Sequence, residues 1–240
     1  MAQRETPTGV TDTTPGGATL PPLEPGSNVL VRGPSLYGKR ALSLELLSSL
    51  SATERPIVLA VATDATSVRR RLFEAGHADI AKDCYVVDAV RSQVSGGTVA
   101  CTDGGGPGRT WYVTSPGNLT GIGMATSRAM EAAFEEGGRP RLVIDSLSTL
   151  LQYNSLERIY RFLHVLNGRV TSLGGTTIQI VHSDAHDIQS VATLGHLFDS
   201  IFDVTDGANG GELTVRNRNT TNGGTFSMET VQPAPAERVD

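Results

Sequence analysis

Five short runs of mostly apolar, often β-branched residues place the strongest limit on how this chain can fold. They are NVLVR (28–32), PIVLAVA (56–62), CYVVD (84–88), RLVID (141–145) and TTIQIV (176–181). Runs of this kind are typical of strands that are buried on both faces of a sheet. Because segments with helical periodicity separate them, they predict an α/β fold with a mostly parallel central sheet and helices on both faces.

Four helical segments are expected between these runs. The first follows the run that ends at residue 32, where apolar residues recur every four positions at Leu42, Leu46 and Leu50. The second covers SVRRRLFEA and ends at Gly76, a residue type that commonly terminates helices. Three consecutive helical residues point in different directions, so we interpret its Arg69–Arg71 as a solvated face. Two longer helices are expected at about 120–136 and 155–172.

The C-terminal part has a different pattern. SIFDVT (200–205) and ELTVRNR (212–218) flank the turn sequence DGANGG, which predicts a C-terminal β-hairpin at the edge of the sheet. Residues 1–27 and 220–240 show little apolar periodicity, so we expect a disordered leader and a flexible tail around one domain at 28–219. The Gly-rich stretch 95–109 is interpreted as a flexible insertion.

The composition argues against several classes of protein. The net charge is −5 and the basic residues are scattered, so binding of nucleic acid is not expected. No apolar run approaches the ~20 residues of a membrane helix, and no signal-peptide core is present, so we expect a cytoplasmic protein without membrane insertion. Cys84 and Cys101 are too few for a disulfide framework and lack the spacing of a zinc site.

The stretch GPSLYGKR (33–40) has the spacing of a phosphate-binding loop, G-x-x-x-x-G-K-[ST], with Gly33, Gly38 and Lys39 in the required places. A strand is expected before it and a helix after it, as such a loop requires. All but two of the 20 basic residues are Arg, yet this position is Lys. A compact ammonium suits a crowded phosphate better than a planar guanidinium does. The pattern predicts phosphate binding.

Arg40 stands where the motif has Ser or Thr. A hydroxyl there would coordinate Mg²⁺, whereas a guanidinium cannot ligate a metal and pairs instead with phosphate oxygens. Three outcomes follow: nucleotide binding with little magnesium, binding with Arg40 turned to solvent, or no binding. Losing a metal ligand weakens phosphoryl-transfer catalysis, since Mg²⁺ neutralises the developing charge.

Asp145 ends the run RLVID and is the candidate metal ligand. Ligands of open α/β sheets bind beyond the carboxyl ends of the strands, where Asp145 and Lys39 are expected to meet. Alternatively, Asp145 caps the helix that follows. A separate segment, VHSDAHD (181–187), carries two His and two Asp residues, and a metal site there is a further alternative.

PGSNVLVRGPSLYGKRAL, followed by LVIDSLSTLL, resembles the RecA/KaiC superfamily of ATPases, and more closely the KaiC-related ATPase-like proteins of halophilic archaea. The resemblance covers about residues 24–218 and implies a RecA-like P-loop NTPase fold. It implies ATP or ADP as the ligand and Mg²⁺ at Asp145, with Arg40 in the place of the second metal ligand, and it puts His182 at the place of a sensor residue. The nucleotide-binding residues it implies are Gly33, Pro34, Ser35, Leu36, Tyr37, Gly38, Lys39 and Arg40.

The same resemblance implies two further roles. KaiC-type proteins carry an acidic pair after the second strand, where this chain has Thr63 and Asp64, so Asp64 is the catalytic candidate, one methylene shorter than Glu. The alternative is that Asp64 caps the next helix. A K-x-R strand reaches the phosphates of a neighbouring subunit in this family, which makes Arg216 and Arg218 candidate phosphate contacts in a homo-oligomer. Alternatively, the two Arg share one face of an edge strand.

Three functions are therefore considered. The first, which the altered loop favours, is a nucleotide-binding regulatory or scaffolding protein with weak or absent hydrolysis. The second is an active ATPase that acts on a partner protein or nucleic acid. The third is an interaction module that binds no nucleotide.

Overall fold

A ten-stranded sheet with helices on both faces forms the described part of the chain. The structure is a computed structural model that describes residues 23–35, 39–90, 100–101, 108–207, 210–217 and 224–227. In chain order the elements are β1 (Asn28–Gly33), α1 (Lys39–Ser48), β2 (Glu54–Ala60), α2 (Ala65–Glu74), α3 (Ala78–Asp83), β3 (Tyr85–Asp88), β4 (Ala100–Cys101), β5 (Thr110–Tyr112), α4 (Leu119–Glu135), β6 (Arg139–Asp145), α5 (Leu147–Tyr153), α6 (Leu156–Ser172), β7 (Thr176–His182), a 3₁₀ turn (Ser183–Ala185), α7 (Ile188–Gly195), β8 (Ser200–Gly207), β9 (Gly210–Asn217) and β10 (Gly224–Ser227).

The strand order is β10-β9-β8-β1-β7-β6-β2-β3-β5-β4. From β8 through β5 every neighbouring pair is parallel. The pairs at the two ends, β8–β9, β9–β10 and β4–β5, are antiparallel. The α/β fold, the mostly parallel sheet and the C-terminal hairpin are therefore confirmed, the hairpin being β8–β9.

Alternate residues of the buried strands face the two helical layers, which explains why their sequences are apolar without interruption. On one face the strand residues pack against α4 and α6, and this layer includes Leu30, Leu59, Leu142, Ile122 and Leu163. On the other face they pack against α1 and α2, and this layer includes Val31, Val143, Leu42, Leu46 and Leu72. The sheet therefore has two separate cores, one on each side.

The ends of the elements differ little from the sequence expectation. Gly76 has a φ of 87°, and the amide of His77 after it donates to Leu72 O at 2.9 Å, which closes α2 as predicted. Helix α1 ends at Ser48, so Leu50 lies beyond the helix in which its spacing placed it. The predicted leader (1–27), insertion (95–109) and tail (220–240) lie mostly outside the described residues.

One interpretation of a charged run was wrong. Arg69 is not on a solvated face, because its guanidinium donates to Ala81 O and Cys84 O, each at 2.9 Å. It also donates to Gly108 O at 2.6 Å and to Thr110 Oγ1 at 3.1 Å. Arg69 thus joins α2, α3 and β5.

None of the helices in the described ranges has the length and apolar character needed to cross a membrane.

Candidate phosphate-binding site

The predicted loop and the predicted metal ligand both lie at the carboxyl ends of the parallel strands, which form one edge of the sheet. The loop follows β1, Asp145 ends β6, and β7 runs between these two strands. Gly33 is paired with His182 of β7. Two strand spacings separate β1 from β6, which corresponds to about 10 Å. A phosphorylated ligand bound beyond these strand ends would be within reach of both segments.

The loop itself is described in part. Gly33, Pro34 and Ser35 form its first half, and Lys39 is the first residue of α1. Leu36, Tyr37 and Gly38 lie outside the described residues, as does the side chain of Arg40, whose backbone continues α1.

Lys39 is the central cation of the loop. Its side chain is almost fully enclosed, since the residue is 2% exposed, and its ammonium group donates a hydrogen bond to Pro34 O. The first turn of α1 contains no acidic residue. A buried ammonium group at a helix N-terminus gives a local positive potential that suits a phosphate.

Gly33 is required by packing as well as by the loop. A Cβ atom at this position would lie 2.3 Å from Val204 O of β8. Backbone contact this close leaves no room for a side chain. The sequence predicted this glycine from the approach of a phosphate, whereas the structure shows that the neighbouring strand already demands it.

The backbone amide of Ser35, in the first half of the loop, is hydrogen-bonded to a carboxylate of another segment. Ser35 N lies 3.0 Å from each carboxylate oxygen of Asp184, and Ser35 Oγ donates to Asp184 Oδ1 at 2.8 Å. Asp184 belongs to the 3₁₀ turn after β7. The hydrogen bonds from Ser35, with a smaller contribution from the charge of Lys39, lower the pKa of Asp184. The Ser35 amide and hydroxyl are therefore arranged to hold one anionic group of this chain.

Asp145 is buried at the end of β6. Its backbone carbonyl accepts from Val61 N and Ala62 N, each at 3.1 Å, which fixes the strand end beside β2. The N-cap of α5 is Ser146, so the alternative in which Asp145 caps that helix is wrong. A buried carboxylate at this edge fits one ligand of a metal ion.

Ser148 connects this segment to β7. Its hydroxyl accepts a hydrogen bond from His182 N at 2.9 Å. The two Ser residues of the Asp-Ser-Leu-Ser segment therefore have separate structural roles, one capping α5 and the other fixing the strand end next to the loop.

Asp64 occupies the helix-capping position that was the alternative to a catalytic role. Its Oδ1 accepts from Ser67 N at 2.7 Å at the start of α2. A catalytic role for Asp64 stays a prediction.

Asp88, at the end of β3, was not singled out from the sequence. It is fully buried, and its two oxygens accept from Ala65 N at 2.8 Å and from Val90 N at 2.9 Å. Asp88 and Asp145 are both register partners of Ala60, one on each side of β2. The signal that could have indicated Asp88 is the shared ending of CYVVD and RLVID, a buried strand that closes with Asp.

Arg216 lies on β9 and pairs with Asp203 of β8, which also binds Arg32 of β1. Strand β9 has β10 as its outer neighbour, so the interpretation of Arg216 as an edge-strand residue is wrong. Arg32 and Arg216 line a cavity of about 320 Å³ together with His196. Arg218 lies outside the described residues, and contacts of either Arg with a neighbouring subunit stay a prediction.

The described residues include fewer candidate ligands for Mg²⁺ than candidate hydrogen-bond donors for a phosphate. Among the residues that the structure describes, no group of three or more His, Cys, Asp or Glu side chains is placed to hold a metal ion. The acids of VHSDAHD instead bind Ser35 and Ser190. Lys39 and the Ser35 amide thus lie where a phosphate would need donors, and the Asp145 carboxylate lies where a metal ion would need a ligand.

Two of the solved structures that resemble this chain come from Pyrococcus horikoshii. A KaiC-like protein from the hyperthermophilic archaeon Pyrococcus horikoshii OT3 superposes with a TM-score of 0.55 at 20% identity, covering 85% of this chain and 84% of that chain. An uncharacterized protein from Pyrococcus horikoshii, solved in complex with an unknown peptide, gives 0.58 at 18% identity, covering 82% of this chain and 86% of that chain. At these identities the likeness shows a KaiC/RecA-like fold and carries no activity with it.

Sequence comparison adds the family. No curated protein matches the chain. A family model, described as a family of unknown function (DUF7504), matches residues 26–204. The matched region includes the loop after β1, the end of β6 and the 3₁₀ turn that carries Asp184. The chain therefore belongs to the DUF7504 family.

Proposed function

We propose that this protein binds ATP or ADP through the loop Gly33–Arg40 and acts as a RecA/KaiC-like regulatory or scaffolding protein, with weak or absent hydrolysis. The observation that carries the proposal is the buried ammonium group of Lys39, which lies in a strand-loop-helix segment at the carboxyl edge of the sheet. A charge-assisted donor at the first residue of a helix favours an anionic ligand, and a phosphate is such a ligand.

Each residue has a stated part in binding. Lys39 and the loop amides hold the phosphates, as the Ser35 amide holds the Asp184 carboxylate. Asp145 would hold Mg²⁺, which supplies charge neutralisation to phosphoryl transfer when bound. Arg40, two residues after Gly38, brings a second cation to the loop in place of a metal-ligating hydroxyl.

The identities of two residues argue that ATP hydrolysis is weak or absent. Arg40 removes the hydroxyl that would share the metal with Asp145. Asp64, the candidate for orienting the attacking water, uses one carboxylate oxygen to cap α2. A catalytic role would have to use its other oxygen, at the end of a side chain one methylene shorter than Glu.

The partner is a protein in this proposal, either a second copy of the chain or another polypeptide. Arg216 is the candidate contact with the nucleotide of a neighbouring subunit, because 62% of its side chain is exposed although it also binds Asp203. Nucleic acid is not included, since the net charge is −5.

Nucleotide titration of the purified chain tests the proposal. Thermal stabilisation and calorimetric affinity for ADP and ATP would be measured with and without Mg²⁺. Lys39→Ala is expected to weaken binding at least about tenfold, because the loss of a charge-assisted contact with phosphate is of that order. The matched control is Lys82→Ala, which removes the other Lys of the chain, an exposed residue of α3.

The variant Arg40→Thr tests how metal binding contributes to nucleotide binding. We expect it to make binding more dependent on Mg²⁺, because it restores a metal-ligating hydroxyl. If the wild type releases phosphate from ATP with Mg²⁺, and Lys39→Ala and Asp145→Ala abolish the release, the protein is an ATPase. If no nucleotide binds under any condition, the chain is an interaction module and the proposal is wrong.

A further inference from the structure

We propose that the Asp184 carboxylate competes with phosphate for the Ser35 amide of the phosphate-binding loop. Its hydrogen bonds to Ser35 must break before a phosphate can bind this amide, so Asp184 lowers the affinity for nucleotide. This inference rests on the proposed function of the loop and concerns the regulation of that same site.

The contact is specific in its geometry. Both oxygens of Asp184 are 3.0 Å from Ser35 N, so the amide points between them. The Ser35 hydroxyl adds a third bond at 2.8 Å. Ser35 is the third residue of the eight-residue loop, and a loop of this type binds phosphate through such amides. One donor cannot serve both anions at full strength.

Charge makes the competition stronger. The carboxylate is held in its ionised form by Ser35 and, to a smaller extent, by the charge of Lys39, the residue expected to bind phosphate. A phosphate that approaches Lys39 therefore meets an anion already present in the loop. Two like charges at one site repel each other, which favours departure of one of them.

The position of Asp184 allows it to leave. It is exposed, and it belongs to a turn of three residues between β7 and α7. Its release breaks the bonds to Ser35 without uncovering a buried side chain. The opposite would hold for Asp88, which is fully buried.

The chain offers a closely matched control. Asp187 is three residues away, is exposed, and also has its pKa lowered by hydrogen bonds, in its case from Ser190. Its carboxylate accepts from Ser190 N at 2.8 Å as the N-cap of α7. Asp187→Asn removes the same charge from the same segment, and Asn retains the cap.

The test measures ADP affinity by calorimetry for the wild type, Asp184→Asn and Asp187→Asn in magnesium-free buffer. Omission of magnesium prevents Asp184 from contributing through a bound metal. Asp184→Asn is expected to bind ADP about tenfold more tightly than the wild type, the scale of one charge-assisted hydrogen bond, while Asp187→Asn matches the wild type. Equal affinity of the wild type and Asp184→Asn, or weaker binding by Asp184→Asn, overturns the inference and leaves the proposed function standing.

If none of the three proteins binds ADP, either in magnesium-free buffer or after Mg²⁺ is added, the proposed function fails, and the inference fails with it. A second measurement needs no nucleotide. Hydrogen exchange of the Ser35 amide, followed by NMR, is expected to be faster in Asp184→Ala than in the wild type and unchanged in Asp187→Ala. Unchanged exchange in Asp184→Ala would show that the carboxylate does not hold this amide in solution, which also overturns the inference.

Discussion

Arg141 and Glu54 form a buried ion pair near the N-terminal ends of β6 and β2, at the opposite end of the strands from the phosphate-binding loop. Their closest atoms, Arg141 Nη2 and Glu54 Oε2, are 2.8 Å apart, and the side chains are 6% and 8% exposed. Arg141 also donates to Leu46 O at 2.8 Å and to Ser49 O at 2.7 Å, at the C-terminal end of α1. The pair thus fixes the far end of the helix whose first residue is Lys39.

Removing one member of this pair is expected to destabilise the protein strongly. Glu54→Gln leaves the Arg141 guanidinium buried without a counter-charge, at a cost of about 3 kcal/mol in the free energy of unfolding. Urea denaturation measures this cost. The double variant Glu54→Gln with Arg141→Met should recover part of it, since no uncompensated charge remains. A single variant as stable as the wild type would contradict the prediction.

Gly33→Ala is expected to lower stability by about 1 to 3 kcal/mol, because the new Cβ would meet Val204 O and separate β8 from β1. The control is Gly168→Ala, at an exposed position inside α6 where a new Cβ meets no atom within 4 Å. That control should raise stability by roughly 0.5 to 1 kcal/mol, because Gly disfavours a helix interior. Thermal unfolding of both variants checks the opposite signs.

Two adjacent Arg residues should differ sharply on substitution. Arg69→Ala removes hydrogen bonds to Ala81 O, Cys84 O, Gly108 O and Thr110 Oγ1 and is expected to cost about 2 kcal/mol. Arg70 is exposed and is 4.0 Å from Glu74. Arg70→Ala should change the free energy of unfolding by less than about 0.5 kcal/mol. Equal losses in the two variants would show that Arg69 lies on a solvated face after all.

Stability is expected to fall at alkaline pH in a manner that depends on Tyr85. Burial, with a smaller contribution from Glu136, raises the pKa of Tyr85 from 10.0 to about 12. Burial also raises the pKa of its neighbour Cys84 from 9.0 to about 12. Both groups therefore ionise earlier in the unfolded chain than in the folded protein, so unfolding becomes easier as the pH rises from about 9 towards 12.

Tyr85→Phe isolates the contribution of the hydroxyl. Between about pH 9 and about pH 11 the free energy of unfolding of this variant should fall less than that of the wild type. The prediction concerns this change with pH and not the stability of the variant at neutral pH. Urea denaturation across this range gives the two slopes. Identical slopes would mean that Tyr85 has the same pKa in the folded protein as in the unfolded chain.

Much of the fold could be predicted because its signals are local. The runs that became β1, β2, β3, β6 and β7 are apolar without interruption, and the helices that became α4 and α6 are long and periodic. Shorter elements gave no comparable pattern. Helices α3 and α5 have six and seven residues, and β4 and β5 have two and three, too few for a period to be visible.

The candidate site was predictable where spacing defines it. Lys39 and Asp145 were found because a loop motif and a strand ending in Asp are sequence patterns, and the structure brings them to one edge. Asp88 was missed because its role depends on an amide of α2, 23 residues earlier. The assignment of the helix cap to Ser146 rather than Asp145 depended on one residue of helix boundary, which periodicity does not resolve.

The sequence by itself determined the alternation of strands and helices, the loop with its Lys, and the acid that ends the fourth predicted strand, because each depends on neighbours in the chain. Tertiary structure decided the rest. Gly33 is required by Val204, Arg69 is held by the carbonyl groups of Ala81, Cys84 and Gly108, and Ser35 is bound by Asp184, 149 residues away. Contacts across such distances are fixed by how strands order in the sheet and how helices pack on it, and a local pattern carries no record of that order.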